Sequence, residues 1–248
     1  IEFIQGTSTE IELPERADVI VSDLRGVLPV FERHLASIAD ARERLLAPGG
    51  VLVGRRDTLY AAPVEAEDEH RRITRPWDAH ARGFDLSVAR RAALNTWSKV
   101  RVPPDRLLGE PRVWAELDYR TLREPEARAT VEWTAPRDGT VHGIAAWFHA
   151  ELAEGVGFST GLDAPDTVYG TAFLPLLEPV PVSAGDALTA ELQARVIADD
   201  YVWVWNTRVT GTEGVKADFR QSTFLSQPAR PAELRKRAHD FRPVLGEQ

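Results

Sequence analysis

The stretch Asp18-Val-Ile-Val-Ser-Asp-Leu-Arg-Gly-Val-Leu-Pro-Val-Phe-Glu32 opens as a short apolar run and continues as a polar loop. Residues 19–21 predict a buried strand, and apolar residues at helical spacing predict a helix over about 30–46. Pro48-Gly49-Gly50 is a strong stop signal, and residues 51–53 predict a second buried strand. A strand, helix and strand joined by short links indicate a βαβ unit of a parallel sheet.

Two carboxylates, Asp23 and Glu32, mark the two ends of this loop. Ligands of open α/β sheets bind at the carboxyl ends of the strands, so we expect the two acids to bind a cationic group. Simpler interpretations of these two acids stay open. Asp23 can be a helix N-cap or a solvated loop acid, and Glu32 can lie in the first turn of its helix, where the dipole favours it. Arg25 can also pair with Glu32, and His34 is interpreted as a surface or satisfied core residue.

After about residue 56 the sequence pattern of a parallel sheet does not continue. Residues 59–64 predict a strand, residues 65–78 are charged, and residues 86–97 have helical spacing. From Trp114 onward, short apolar or alternating runs separated by turn signals predict an antiparallel barrel or sandwich. The predicted strands there are 113–119, 129–133, 140–152, 171–177, 187–196, 201–209 and 215–225.

The predicted fold class is therefore α/β plus β. Residues 1–56 form the C-terminal half of a doubly wound, Rossmann-like sheet. Residues 57–228 form a β-barrel domain with a helical insertion at about 84–110, and residues 229–248 form a basic tail. Residues 2–5 predict a short strand. Because residues 1–4 already have a strand pattern and no initiator Met precedes them, we expect sequence upstream of Ile1 to be missing.

Composition limits the function classes. The net charge of -8 and the sequence pI near 5.4 argue against non-specific nucleic-acid binding. The chain has no cysteine, which excludes disulfides and thiolate sites. No apolar run approaches the length of about 18 residues that a membrane span needs, and no signal peptide opens the sequence. We expect a cytoplasmic protein that acts on neither nucleic acid nor membrane.

The acidic loop resembles that of the protein arginine N-methyltransferases. That family carries Ser-Glu-x-x-Gly followed by a second Glu, and Ser22-Asp23-Leu24-Arg25-Gly26 closing on Glu32 has the same spacing. Upstream, residues 5–14 resemble the family segment that contacts the adenine of the cofactor. Downstream, residues 83–87 resemble the start of the family's dimerisation arm, and residues 157–160 with 167–169 resemble the barrel segment that ends in a Thr-His-Trp loop.

The resemblance implies a methyltransferase that uses S-adenosyl-L-methionine and needs no metal. It implies that Asp23 and Glu32 are catalytic, since two carboxylates can orient a guanidinium and localise its charge. It also implies that Ser8 and Thr9 contact the adenosine. The expected partners are a cationic protein, peptide or small-molecule methyl acceptor and a second copy of the chain, bound through the arm as a homodimer.

The sequence departs from the family pattern at three places. Asp23 replaces the first glutamate and reaches roughly 1.5 Å less, one C–C bond length. Val168 replaces the histidine and Tyr169 the tryptophan of the Thr-His-Trp loop. The glycine-rich cofactor loop lies before residue 1, so we expect residues 1–248 alone to bind the cofactor weakly and to be inactive. The alternative is a non-catalytic dimeric scaffold derived from the same family.

Overall fold

The structure is a computed structural model, and it describes residues 1–79, 83–197 and 200–225. The predicted basic tail, residues 229–248, lies outside the described residues. Within the described ranges, no helix combines the length and the apolar character needed to cross a membrane.

The chain begins with the predicted βαβ unit. Strand β1 (Ala17–Val21) is parallel to β2 (Leu46–Val53), and helix α1 (His34–Asp40) lies between them in sequence. A π-helical turn (Ala41–Leu45) joins α1 to β2. Alternate strand residues face opposite ways, so Val19 and Val21 share an exposed face while Ile20 packs toward the core.

Two details of this unit correct the prediction. The helix begins at His34 rather than near residue 30, because the loop continues through Glu32 in a left-handed backbone conformation. The helical segment ends at Leu45, as the stop signal predicts, but the strand starts earlier than residue 51, so Pro48-Gly49-Gly50 lies inside β2, where the pairing jumps from Leu46 to Val51. Gly49 has a φ of 79°, which a glycine adopts without strain, so the segment bulges out between two paired stretches.

Residues 2–5, predicted as a strand, are in no strand of the described structure. A strand needs a hydrogen-bonded neighbour to be stable. None of the described strands lies beside residues 2–5, and their side chains are exposed.

The second part begins with β3 (Arg56–Val64), as predicted, followed by two helices. The charged residues after β3 form α2 (Glu67–Ala79), and the predicted helix over 86–97 is the shorter α3 (Ser87–Ala93). Asp85 accepts a hydrogen bond from the backbone N–H of Ser87 at 2.9 Å, which helps α3 to begin there. A short strand β4 (Ser98–Val100) and a 3-10 turn (Pro104–Arg106) complete the insertion.

The remaining chain is antiparallel, as its patterning predicts. The strands are β5 (Arg112–Asp118), β6 (Ala127–Thr134), β7 (Gly139–Ala153), β8 (Val156–Ser159), β9 (Thr171–Val182), β10 (Ala187–Ile197), β11 (Asp200–Gly211) and β12 (Gly214–Phe219). Residues 220–225, predicted as the end of the last strand, instead include a 3-10 turn (Thr223–Leu225).

These strands form two sheets. One has the order β12-β11-β10-β6 and the other β4-β9-β7-β3-β5, with β8 paired to β7. Trp205 of the first sheet and Phe148 of the second are fully buried in one shared core, to which α1 adds Leu35 and Ile38. The predicted α/β plus β class is confirmed. Within the described residues the two sheets pack together without a strand pair that closes them into a ring.

Candidate active site

The acidic loop turns sharply between its two carboxylates. A Cβ at Gly26 would lie 2.5 Å from the ring of Phe31, so only glycine lets the ring fold back over the loop. The next residue, Glu32, has a φ of 44°, the only positive φ of a non-glycine residue in the described ranges. Such a conformation is uncommon for a side chain of this kind and is enriched at functional sites.

Asp23 lies just beyond the end of β1, and its side chain is 54% exposed. Its Oδ1 accepts a hydrogen bond from Arg25 Nη1 at 3.2 Å, and its Oδ2 accepts one from the hydroxyl of Tyr169. Partial burial alone would raise the pKa of Asp23, but the bonds from Tyr169 and Arg25 outweigh it and lower that pKa. Asp23 is therefore an ionised, accessible carboxylate with a fixed orientation.

Arg25 is buried and connects the loop to β3. Its Nε and Nη2 donate to the two carboxylate oxygens of Asp57 at 2.7 and 3.0 Å, and Tyr119 donates its hydroxyl to the same carboxylate. Burial opposes the charge of Arg25, but the bonds to Asp57 raise its pKa above the ordinary value. We call Arg25, Asp57 and Tyr119 the junction network. A Cβ at Gly54 would lie 2.6 Å from Arg25 Nη2, so glycine there leaves room for the guanidinium.

His34 extends the junction network. Its Nε2 lies 3.1 Å from the hydroxyl oxygen of Tyr119, which must accept from His34 because its own proton is donated to Asp57. The other nitrogen, Nδ1, is buried with no hydrogen-bond partner among the described residues. Burial lowers the pKa of His34 to about 4, and the charge of Arg25 acts in the same direction. His34 is thus a neutral core residue, with one of its two ring nitrogens hydrogen-bonded within the described residues.

Tyr169 reaches Asp23 from the loop before β9, where it is fixed by other aromatic rings. Its ring stacks on Phe158 at 5.5 Å with an interplanar angle of 15°, and it meets Phe148 edge-on at 5.5 Å and 74°. Burial and the bond to Asp23 raise the pKa of Tyr169 to about 12, so its hydroxyl stays protonated. The side chain of the neighbouring Val168 points to solvent and takes no part in binding Asp23.

Ser8 and Thr9 are half-buried in a turn before β1. Arg44 holds this turn by donating Nη2 to the carbonyl of Ser8 at 2.6 Å and Nη1 to the carbonyl of Ile11. Neither side-chain hydroxyl has a hydrogen-bond partner in the part of the chain that the structure describes, which leaves both hydroxyls free for a ligand.

The structure therefore joins some of the predicted site residues and leaves others apart. Asp23 contacts Arg25 and Tyr169, whereas the Glu32 carboxylate is exposed and makes no hydrogen bond or ion pair within the described residues. The suggested pairing of Arg25 with Glu32 is wrong, because Arg25 is bound by Asp57 and Asp23 instead. Sequence reasoning missed the contacts of Tyr169 and Asp57. A charged Arg25 between apolar neighbours was the signal that an acid must lie nearby.

A family model described as the arginine methyltransferase oligomerization subdomain matches residues 55–227. The chain belongs to the arginine methyltransferase family. The family that the sequence resembles is thereby confirmed, and the match covers the β part together with its helical insertion.

Among curated members of the family, protein arginine N-methyltransferase 2 of Homo sapiens is 31% identical over 217 residues, covering 82% of this chain and 49% of its own length. An arginine N(omega)-methyltransferase of Streptomyces achromogenes is 33% identical over 178 residues, covering 71% of this chain and 48% of its own length. The chain thus spans about half the length of the curated relatives that it matches.

Solved structures of the family have the same fold. The PRMT1 enzyme-prozyme heterotetrameric complex with AdoHcy of Trypanosoma brucei matches with a TM-score of 0.78 and 21% identity, covering 88% of this chain and 71% of that one. Protein arginine methyltransferase 10 of Arabidopsis thaliana matches with a TM-score of 0.73 and 19% identity, covering 89% and 74%. At these identities the likeness concerns the fold alone.

Proposed function

We propose that the natural protein is an S-adenosyl-L-methionine-dependent methyltransferase whose acceptor is the guanidinium of arginine, free or in a peptide. The observation that carries the proposal is the carboxylate of Asp23, which is ionised, half-exposed and held at the carboxyl end of a parallel strand. Glu32 supplies a second carboxylate at the end of the same loop, and this carboxylate has no ion-pair partner among the described residues. The names of the relatives support the choice of acceptor.

The two carboxylates have a defined task. A guanidinium is planar, carries five N–H donors and stays protonated in water, so it is a poor nucleophile. Hydrogen bonds from its N–H groups to Asp23 and Glu32 would orient one nitrogen and concentrate electron density there. The bound cofactor would supply a positively charged sulfur carrying the transferable methyl group. The oriented nitrogen would accept the methyl group, the bonding electron pair would stay on the sulfur as a neutral thioether, and one of the two carboxylates would take the proton that the nitrogen loses and pass it to water.

The turn that contains Ser8 and Thr9 fits the proposed cofactor. Its two hydroxyls lack partners among the described residues, and Arg44 fixes the backbone from which they project. We therefore keep Ser8 and Thr9 as the residues that would bind the adenosine. In the described ranges no group of three or more His, Asp or Glu residues is placed to hold a metal ion.

Methyl transfer by the natural protein at its full length tests the proposal. With methyl-labelled cofactor, we expect label to appear in free arginine or in an arginine peptide, and comparison of the two decides which acceptor is used. Glu32→Gln should lower kcat/KM by about a hundredfold, because the misplaced acceptor nitrogen no longer lies in line. The matched control is Glu213→Gln, at the exposed β11–β12 turn, which should leave kcat/KM unchanged.

Two outcomes would contradict parts of the proposal. Tight cofactor binding without transfer to any arginine acceptor would favour the non-catalytic scaffold. Unchanged turnover in Glu32→Gln would leave the methyltransferase but remove the role of Glu32.

We also propose that the protein forms a homodimer through its helical insertion. Phe84 and Val88 are 75% and 80% exposed at the start of α3, which buries none of its own residues. Large apolar side chains with this much solvent exposure favour contact with a second copy of the chain. Val88→Glu should lower the mass measured by light scattering toward that of a monomer, while Val215→Glu, exposed on β12, should not.

A further inference from the structure

Asp23 is held at both of its oxygens by residues that are themselves fixed elsewhere. Arg25 binds Oδ1 and Tyr169 binds Oδ2. A carboxylate offers about four lone-pair positions, so two of them remain for another donor. These two contacts restrict rotation of the Asp23 side chain and so fix the orientation of its carboxylate.

Arg25 is a rigid support because Asp57 holds it bidentately from β3. Two parallel N–H···O bonds fix both the direction and the plane of a guanidinium. The charge of Arg25 is balanced by Asp57, which is fully buried, so Asp23 keeps its own negative charge for a ligand. Nη1 is the nitrogen left over from this pair, and it is the one that binds Asp23.

Tyr169 is a rigid support for a different reason. Its ring lies against Phe158 and Phe148, which belong to the second part of the chain, and its hydroxyl donates a hydrogen bond to Asp23 of the acidic loop. Arg25 reaches Asp23 from within the loop and Tyr169 reaches it from the loop before β9, so the carboxylate is fixed between separate parts of the fold.

We propose that Arg25 and Tyr169 are the positioning residues of the acceptor site, which hold the Asp23 carboxylate so that its free lone pairs meet the acceptor guanidinium. This inference rests on the proposed methyl transfer to arginine. It assigns to Tyr169, rather than to Val168, the contribution of the β part to the site. It also accounts for how the carboxylate of Asp23, which reaches less far than that of a glutamate, is held in one orientation.

Tyr169→Phe tests the hydroxyl alone, because phenylalanine keeps the stack on Phe158. In the natural protein we expect kcat/KM for the arginine acceptor to fall about tenfold, mostly through kcat, since a loosened carboxylate orients the nitrogen less well. The control is Tyr60→Phe, which removes a hydroxyl from a ring stacked on Trp147 in another part of the core.

Arg25 needs a paired substitution, because Arg25→Met alone leaves Asp57 charged and buried. In Arg25→Met/Asp57→Leu the buried ion pair is replaced by apolar side chains, a change that folded proteins commonly tolerate. We expect this double variant to fold with a cooperative thermal transition and to lose about 10- to 100-fold in kcat/KM. The pKa of Asp23, followed by carboxyl-carbon NMR, should rise in this variant and in Tyr169→Phe.

The outcomes separate this proposal from the one on which it rests. Absence of transfer by the wild-type protein to any arginine acceptor would defeat the proposed function, and the positioning role with it. Wild-type activity that is unchanged in both folded variants would overturn the positioning role alone. An Asp23 pKa that does not move in either variant would overturn it as well, since the two contacts would then not exist in solution.

Discussion

The βαβ unit and the antiparallel part of this chain are stabilised by different interactions. The antiparallel part is built on apolar burial, with Trp205, Phe148 and Ile144 almost completely removed from solvent. The βαβ unit packs Leu35 against that core, yet it is also joined to it by a buried guanidinium and carboxylate.

This difference has a consequence for stability. Apolar burial does not depend on pH and is lost gradually as methyl groups are removed. Removing one partner of a buried charge pair leaves the other charge buried and uncompensated, which destabilises the fold strongly. The buried histidine beside the pair makes stability depend on pH. The attachment of the βαβ unit should therefore be the part of the fold most sensitive to single charge changes.

The largest expected effect is that of Arg25→Met. It leaves Asp57 buried without its partner and should lower the free energy of unfolding by about 3–5 kcal/mol, measured by urea denaturation. The comparison is Arg208→Met, which breaks the exposed pair with Asp218 between β11 and β12 and should cost at most about 1 kcal/mol. Equal losses in the two variants would show that the junction network does not stabilise the fold.

The pH dependence of His34 comes next. Its pKa is about 4 when folded and about 6.5 when unfolded, so between these values the unfolded chain binds a proton that the native protein excludes. The stabilising effect of the neutral ring is complete above pH 6.5 and is lost as the pH falls toward 4, by about 3 kcal/mol.

His34→Phe isolates this contribution, because His70 and His142 are present in both proteins. The free energy of unfolding of the wild type should fall more steeply between pH 6.5 and pH 4.5 than that of the variant. Parallel pH profiles of the two proteins would mean that His34 is not buried in its neutral form.

Substitutions at two valines allow the exposed face of β1 to be compared with the core. Val21 of β1 is 73% exposed, whereas Val209 of β11 is completely buried. In the chain of residues 1–248, Val209→Thr should cost about 2 kcal/mol, since it buries a hydroxyl among apolar neighbours. Val21→Thr should change the free energy of unfolding by less than about 0.5 kcal/mol. A larger loss at Val21 would reveal that this face is covered in solution.

The smallest effect concerns the backbone of Glu32. A left-handed conformation costs a non-glycine residue roughly 1–2 kcal/mol, of which the greater freedom of glycine in the unfolded chain offsets about 0.5–1 kcal/mol. Glu32→Gly should therefore be more stable than Glu32→Ala by up to about 1.5 kcal/mol. At Glu43, in the helical turn before β2, the order should reverse, because alanine is the better helix former. The same order at both positions would place Glu32 in a helix.

Much of the fold follows from the sequence because hydrophobic period and turn residues act locally. Residues 19–21 and 51–53 form strands as predicted, and most later strands lie within a few residues of their predicted ends. The errors have a common cause. A local sequence pattern does not show which other segment or side chain will pack or pair with it. Residues 2–5 have a strand pattern but no neighbouring strand in the part of the chain that the structure describes. Glu32 lies outside the helix because of a turn that Gly26 and Phe31 form together.

The site was predictable only in part. The spacing of Asp23 and Glu32 is a local signal, and the sequence contains it directly. Of the two partners of Asp23, Arg25 is local in sequence but Tyr169 is not, and the acid that holds Arg25 is not local either. Arg25 is paired with Asp57, 32 residues away, and Tyr169 lies 146 residues from the aspartate that it binds. Only the packing of the two parts of the chain brings these groups together, so no single stretch of sequence records the contact.

The pairing of Arg25 with Asp57 also constrains how the sequence can change over generations. A single substitution at either position leaves an unmatched charge in the interior, so the intermediate between the charged pair and an apolar pair is disfavoured. Arginine and aspartate should accordingly be inherited together or lost together among close relatives. Gly54 should follow them, since a larger residue there becomes acceptable only once the guanidinium is gone.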